Sequence, residues 1–274
     1  MGEGQRVALV SGAGRGIGAA TARALGRRGY HVIVNYLRDT AAATAVVRDI
    51  ETAGGSAQAA RADVCSAEEV AGLVAGVVAE RGRIDVLVCN ANTAQPPFGP
   101  LVTLPWDAFA GKVTAELSGA YFLTQRVLAV MRERRAGRIV YVSSIAADVV
   151  SSSIAHSTAK AALNTFARQV AGEAASYGVT VNTVSAGAVN TDATAAVFTD
   201  DVRRYLRDRS VRGRMLQPDD LGGVIALLLD DAFAVATGQV VRVDDGMDLL
   251  VQRTDHLAAQ VRAETRFSPR PATS

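Results

Sequence analysis

Short apolar runs alternate with longer stretches of helical periodicity along almost the whole chain. Runs suited to buried parallel strands fall near residues 6–10, 31–35, 57–60, 86–89, 138–142, 179–184 and 240–243. Between them lie helical patterns at 17–28, 40–53, 67–81, 106–135, around 159–177 and at 218–229. Most of the connections carry Gly, Asp or Asn, as turns require. The alternation predicts an α/β fold: a doubly wound parallel sheet of seven strands in three α/β/α layers. Right-handed crossovers then set the carboxyl ends of all strands on one rim, where ligands bind. With neither a linker nor a repeat, residues 1–250 are expected to form one domain, followed by a polar tail at 251–274. The charged segment 190–213 follows the sixth strand on the ligand rim and suits either a substrate lid or an ordinary surface helix.

The first strand runs straight into Ser11-Gly12-Ala13-Gly14-Arg15-Gly16-Ile17-Gly18, and an alanine-rich helix follows. Glycines let the backbone approach a pyrophosphate, and a helix N-terminus offers free N–H groups and a positive dipole end. The spacing is Gly-x-x-x-Gly-x-Gly, because position 17 is Ile rather than Gly. A plain strand–helix turn would look similar, but strand before and helix after favour a dinucleotide loop of Rossmann type.

Composition narrows the surroundings. Of 274 residues, 49% are hydrophobic, enough for a substantial core and too many for a disordered chain. No apolar run approaches the roughly 18 residues of a membrane span. The start, Met1-Gly2-Glu3-Gly4-Gln5-Arg6, has neither the apolar centre of a signal peptide nor the Ser or Thr of a myristoylation signal at position 6. A net charge of +2 gives no argument for nucleic acid. The two cysteines, Cys65 and Cys89, form no metal-type cluster, so no metal is expected and a reducing cytoplasm is the simplest home. Among 29 basic residues only Lys112 and Lys160 are lysine. Where charge alone suffices this chain uses Arg, so a retained Lys points to ammonium chemistry.

These residues resemble the short-chain dehydrogenase/reductase family, and most nearly its 3-oxoacyl-[acyl carrier protein] reductase branch. The likeness runs from Arg6 to about Leu249. Ser11 to Gly18 matches the family's Thr-Gly-x-x-x-Gly-x-Gly loop, and Ala62-Asp63-Val64 its adenine-binding turn. Val181-Asn182-Thr183-Val184-Ser185 matches its sixth strand; Gly213-Arg214-Met215-Leu216-Gln217-Pro218 and Thr237-Gly238-Gln239-Val240-Val241 match its C-terminal part. The resemblance implies cofactor contacts from Ser11, Gly12, Arg15, Gly16, Ile17, Gly18, Asn35, Arg38, Asp63, Val64, Asn90, Ala91, Lys160, Gly187 and Thr191. Members that prefer NAD carry Asp or Glu at the end of the second strand. Here that place holds Asn35, with Arg38 and Arg15 nearby, which favours NADP(H) over a solvated-surface reading of Arg38. The resemblance also implies a homotetramer or homodimer through the helices at 106–135 and 159–177.

The family's catalytic set is Asn, Ser, Tyr and Lys. Lys160 occupies the Lys slot. Ser144 ends the fifth strand and matches the Ser, although Ser143 gives the more usual spacing to position 156. The Tyr slot, four before the Lys, holds His156, and the Asn slot holds Glu116. A neutral imidazole can still donate one hydrogen bond to a carbonyl, and Glu116 could pair with His156 or Lys160. Further departures lie on the same rim: Cys89-Asn90-Ala91-Asn92 for Asn-Asn-Ala-Gly, Ala186-Gly187 for Pro-Gly, and Asp244-Asp245-Gly246 for Asp-Gly-Gly. Three readings stay open. The first is an NADPH-dependent ketone reductase using Ser144, His156 and Lys160. The second is a reductase of a conjugated C=C bond with another donor, such as Tyr205. The third is a cofactor-binding pseudo-reductase without turnover. The substrate would be a small carbonyl or enoyl compound, possibly carrier-bound, since Arg203, Arg204, Arg207, Arg209, Arg212 and Arg214 give the lid a basic face or merely a solvated one.

Overall fold

The computed structural model describes residues 4–247 except 152 and 196. Seven strands form one sheet: β1 (Val7–Val10), β2 (His31–Tyr36), β3 (Ser56–Arg61), β4 (Val86–Cys89), β5 (Gly137–Ser144), β6 (Val179–Ala186) and β7 (Val240–Val243). Their order is β3-β2-β1-β4-β5-β6-β7, and every neighbouring pair is parallel. The helices among the described residues are α1 (Gly16–Arg27), α2 (Thr40–Thr52), α3 (Ala67–Arg81), α4 (Trp106–Arg134), α5 (Ile154–Ala175), α6 (Asp192–Ala195), α7 (Asp200–Asp208) and α8 (Pro218–Leu228). The predicted doubly wound sheet is therefore present. Its expected boundary at 250 and the tail at 251–274 lie outside the described residues.

Strand periodicity divides the core into two halves. Side chains alternate across a strand, so Ala8 and Val10 pack on one face with Leu25 of α1, Ile50 of α2 and Ile225 of α8. Val7 and Leu9 pack on the other with Val74 of α3, Leu123 of α4 and Leu163 of α5. Both faces are covered by helices, which is why the central strands read as continuous apolar runs. The chain winds outward from β1 through β3 and then returns to the other side of β1 at β4. The loops after β1 and β4 diverge there and open a crevice at the carboxyl edge.

Local chemistry sets the helix starts. Asp39 caps α2 by accepting from Ala42 N at 2.9 Å, and Ser66 caps α3 by accepting from Glu69 N at 3.2 Å. Helix α5 begins earlier than the sequence pattern suggests. Ser153 Oγ accepts from His156 N at 3.4 Å and donates to Pro97 O at 2.7 Å. This cap lies in a serine-rich stretch without apolar periodicity, so the pattern begins only at Ala159. The consequence is functional: His156 and Lys160 stand one turn apart on one rigid helix.

The segment 190–213 forms two short helices, α6 and α7, and its trailing end is clamped. Asp245 adopts the left-handed backbone region with φ 57°, where the family carries Gly. Its carboxylate accepts from Ser210 Oγ, from Arg212 N at 3.2 Å and from Arg212 Nε at 2.9 Å. Arg214 grips Asp220 in α8 with bonds of 2.7 and 2.8 Å, and Arg212 adds one of 3.0 Å. These ties hold Asp220 well below the usual carboxylate range. Replacing Asp245 by Ala keeps the left-handed strain and removes the acceptors. Thermal or urea unfolding of Asp245→Ala should show a loss of about 1–3 kcal/mol.

Candidate active site

The glycine loop is built to approach its neighbours and a ligand closely. A Cβ on Gly12 would stand 2.9 Å from Ala91 Cα, and one on Gly18 2.5 Å from Asn90 Nδ2. Ser11 Oγ accepts from Asn90 N at 2.9 Å and from Ala91 N at 3.1 Å. Asn90 Nδ2 donates to Ser11 O at 3.0 Å and to Gly12 O at 3.2 Å. The loops after β1 and β4 are thus one hydrogen-bonded unit. Gly16 opens α1 opposite Thr191, whose Cγ2 lies 3.5 Å from where a Gly16 Cβ would stand. Gly187 follows β6, and its N–H donates to Val243 O at 2.8 Å.

Several of the residues expected at the cofactor also make bonds within the protein. Asn35 is 1% exposed. Its Nδ2 donates to Ala60 O and Ala62 O at 3.2 and 3.1 Å, and its Oδ1 accepts from Gly12 N at 3.4 Å. Asn35 thus ties β2, β3 and the glycine loop together at the end of the second strand. Ser11 and Asn90 likewise shape the loop from within. Asp63 Oδ1 accepts from Cys65 N at 2.9 Å, which holds the turn of Asp63 and Val64 after β3. Arg15 and Arg38 are exposed, and neither has an ion-pair or hydrogen-bond partner among the described residues. The tight cradle, the start of α1 and the exposed guanidiniums fit a dinucleotide cofactor.

Deeper in the crevice, three buried charges meet. Lys160 Nζ donates to Glu116 Oε1 at 2.5 Å and to Val142 O at 2.9 Å. Lys112 Nζ donates to Glu116 Oε2 at 2.7 Å, Asn92 Oδ1 at 2.7 Å and Ala94 O at 3.0 Å. Glu116 therefore pairs with Lys160 and with Lys112 and makes no bond to His156. Lys112 and Asn92 had no role in the sequence reading; the rarity of lysine was the signal that pointed at both ammoniums. Burial alone would raise Glu116, yet the two ammoniums hold it down at about 2. Burial lowers Lys112, and Glu116 opposes that. A third N–H on Lys160 has no partner among the described residues.

His156 and the serines complete the row. Ser143 is buried, with its Oγ directed at Lys160 O at 3.5 Å, whereas Ser144 stands half-buried at the end of β5 and accepts from Ala146 N at 3.2 Å. His156 Nδ1 is buried with no hydrogen-bond partner. Desolvation, reinforced by Lys160 and Lys112 and opposed by Glu116, lowers the imidazole to about 4, so it is neutral at pH 7. Tyr205 stands 52% exposed on α7 with the Arg209 guanidinium 3.6 Å from its ring centre. Burial pushes the Cys89 thiol up to about 12, which leaves it inert as a nucleophile. The described residues contain no metal-type cluster and no helix long and apolar enough to cross a membrane. Of the basic lid residues, Arg203, Arg204, Arg212 and Arg214 are engaged with Asn190, Asp201, Asp220 and Asp245.

A glycine-rich loop at the switch point of a parallel sheet, with Ser144 at the end of β5 and Lys160 on α5 beside it, is an arrangement suited to a dinucleotide cofactor. Residues 12–248 match a family described as enoyl-(acyl carrier protein) reductase. The chain is 38% identical over 244 residues to 3-oxoacyl-[acyl-carrier-protein] reductase of Synechocystis sp., covering 88% of this chain and 96% of that one. It is 36% identical to versicolorin reductase 1 of Aspergillus parasiticus, covering 88% and 95%. Among solved structures it resembles a 7α-hydroxysteroid dehydrogenase complexed with NADH and 7-oxo glycochenodeoxycholic acid. That likeness has TM-score 0.84, 28% identity and coverage of 89% and 94%. The chain belongs to the short-chain dehydrogenase/reductase family.

Removing one charge from the cluster should be costly. Glu116→Gln leaves two ammoniums facing each other without a counter-charge. Urea unfolding should register a loss of about 3–5 kcal/mol. A loss below about 1 kcal/mol would mean that the three groups do not share their charge as described.

Proposed function

We propose that the protein is an NADPH-dependent reductase of ketones, with Ser144, His156 and Lys160 as its working groups. The observation that carries this reading is the buried, unpartnered Nδ1 of His156, one helical turn from Lys160 and beside the rim that carries Ser144. A buried polar atom without a partner is completed by a ligand or water. NADPH supplies a hydride when bound. Ser144 Oγ donates to the substrate oxygen and polarises the carbonyl. The neutral imidazole gives its N–H proton to the oxygen as charge develops there, while its other nitrogen takes up, through water, the one proton that the reduction consumes from bulk solvent. The ring then never has to carry a charge, in keeping with a pocket that disfavours imidazolium. The free N–H of Lys160 holds the nicotinamide ribose. Gly12, Gly16, Ile17, Gly18 and Thr191 cradle the pyrophosphate against α1. Asp63 and Val64 receive the adenine, and Ala91 and Gly187 border the nicotinamide. Arg15 and Arg38 hold the 2′-phosphate.

The loops around the opening bear exposed apolar side chains, Phe98, Leu101, Val102, Trp106 and Val150. They favour a ketone on an apolar body. The exposure of Tyr205 leaves His156 as the better donor, which favours C=O over C=C reduction. The family resemblance supports association through α4 and α5 into a homotetramer, and Tyr121 of α4 is exposed for such a contact.

The test is NADPH oxidation with matched apolar ketones and enones. Turnover is expected with the ketones and at least tenfold faster with NADPH than NADH. Arg38→Ala should lose about tenfold in NADPH affinity, the value of one charge-assisted contact. Light scattering should give the mass of four chains. Turnover of the enones alone, or equal rates with NADH, would overturn the respective assignment.

A further inference from the structure

Both lysines of a chain that otherwise uses Arg converge on one carboxylate. Lys112 is 1% exposed, and its ammonium meets three acceptors for its three hydrogens. A planar guanidinium does not fit three acceptors so arranged, which accounts for Lys here. Asn92 and Ala94 belong to the segment that begins with Asn90 and Ala91, and those two hold the glycine loop through Ser11 and Gly12. On its other side Glu116 holds Lys160, which is anchored in turn on Val142 O of β5. One connected path therefore runs from the glycine loop by hydrogen bonds to Asn90 and Ala91, along the chain to Asn92, and by hydrogen bonds through Lys112 and Glu116 to Lys160.

The charges carry a second argument. Glu116 stands where the family carries a neutral Asn, and alone it would cancel the positive charge of Lys160. Lys112 adds one positive charge to the pair and leaves the cluster net cationic. Two departures from the family pattern, Glu116 and Asn92, are the two side chains that Lys112 binds. The three residues form one compensated unit.

We propose that Lys112 is a positioning residue of the cofactor site, which through Glu116 sets Lys160 and leaves the cluster net cationic, and through Asn92 and Ala94 holds the segment 90–94 in place. The inference rests on the reading of this crevice as an NADP(H) site, but it does not depend on which substrate is reduced. Its test needs no turnover: NADPH affinity from cofactor fluorescence, and the titration of the His156 ring by NMR. The charged groups around that ring are Lys160, Lys112 and Glu116.

In Lys112→Met one positive charge is lost, so His156 should titrate at higher pH than in the parent, and NADPH should bind at least fivefold more weakly. Lys112→Arg restores the charge without the geometry. Its His156 titration should return toward the parent while NADPH affinity stays reduced. A folded Lys112→Met protein with both readouts unchanged overturns the proposal. If that variant does not fold, Asn92→Ala decides, since it cuts the link and leaves the buried charges intact. Weaker NADPH binding supports the proposal and parental affinity overturns it. A parent that binds NADPH but reduces no ketone refutes the proposed reaction and leaves this inference standing.

Discussion

Glu116 lies between two buried ammoniums, and the geometry of the crevice follows from that arrangement. Taking three charges out of water costs several kcal/mol per ion. Short, well-directed bonds of 2.5–2.9 Å from Glu116 and Val142 O recover part of that cost around Lys160. Apolar side chains of similar volume would stabilise α4 and α5 at least as well. The cluster is thus a poor way to hold two helices together and a good way to hold Lys160 at a fixed height with its charge intact. Burial keeps His156 neutral in the first place, and the cluster adds to this because two positive neighbours stand against one negative.

The central strands were legible in the sequence because burial on both faces writes them as continuous apolar runs. Val7–Val10 and Val86–Cys89 fall within a residue or two of where the pattern put them, and so does the half-exposed edge strand Val240–Val243. The start of α5 was not legible. It is set by Ser153, a single polar contact to Pro97 O across 56 residues, and such a contact leaves no periodic trace. The same holds for the bonds of Asn35 to β3 and the glycine loop, which join positions distant in the chain.

At the site, spacing located Lys160, His156 and Glu116, and the scarcity of lysine marked Lys112 as well. Their mutual bonding was beyond reach, because positions 112 and 160 meet only after α4 and α5 pack. The basic residues of 203–214 were open to two readings along the chain; folded, Arg204, Arg212 and Arg214 are tied to Asp201, Asp220 and Asp245.

The account turns on an imidazole working in place of a phenol. The most direct measurement compares ketone reduction by the parent and by His156→Ala, with NADPH affinity determined on both. The account predicts a kcat lowered by about 10²–10⁴-fold, the usual worth of a positioned proton donor, with cofactor affinity nearly retained. Equal kcat in the two proteins would contradict it.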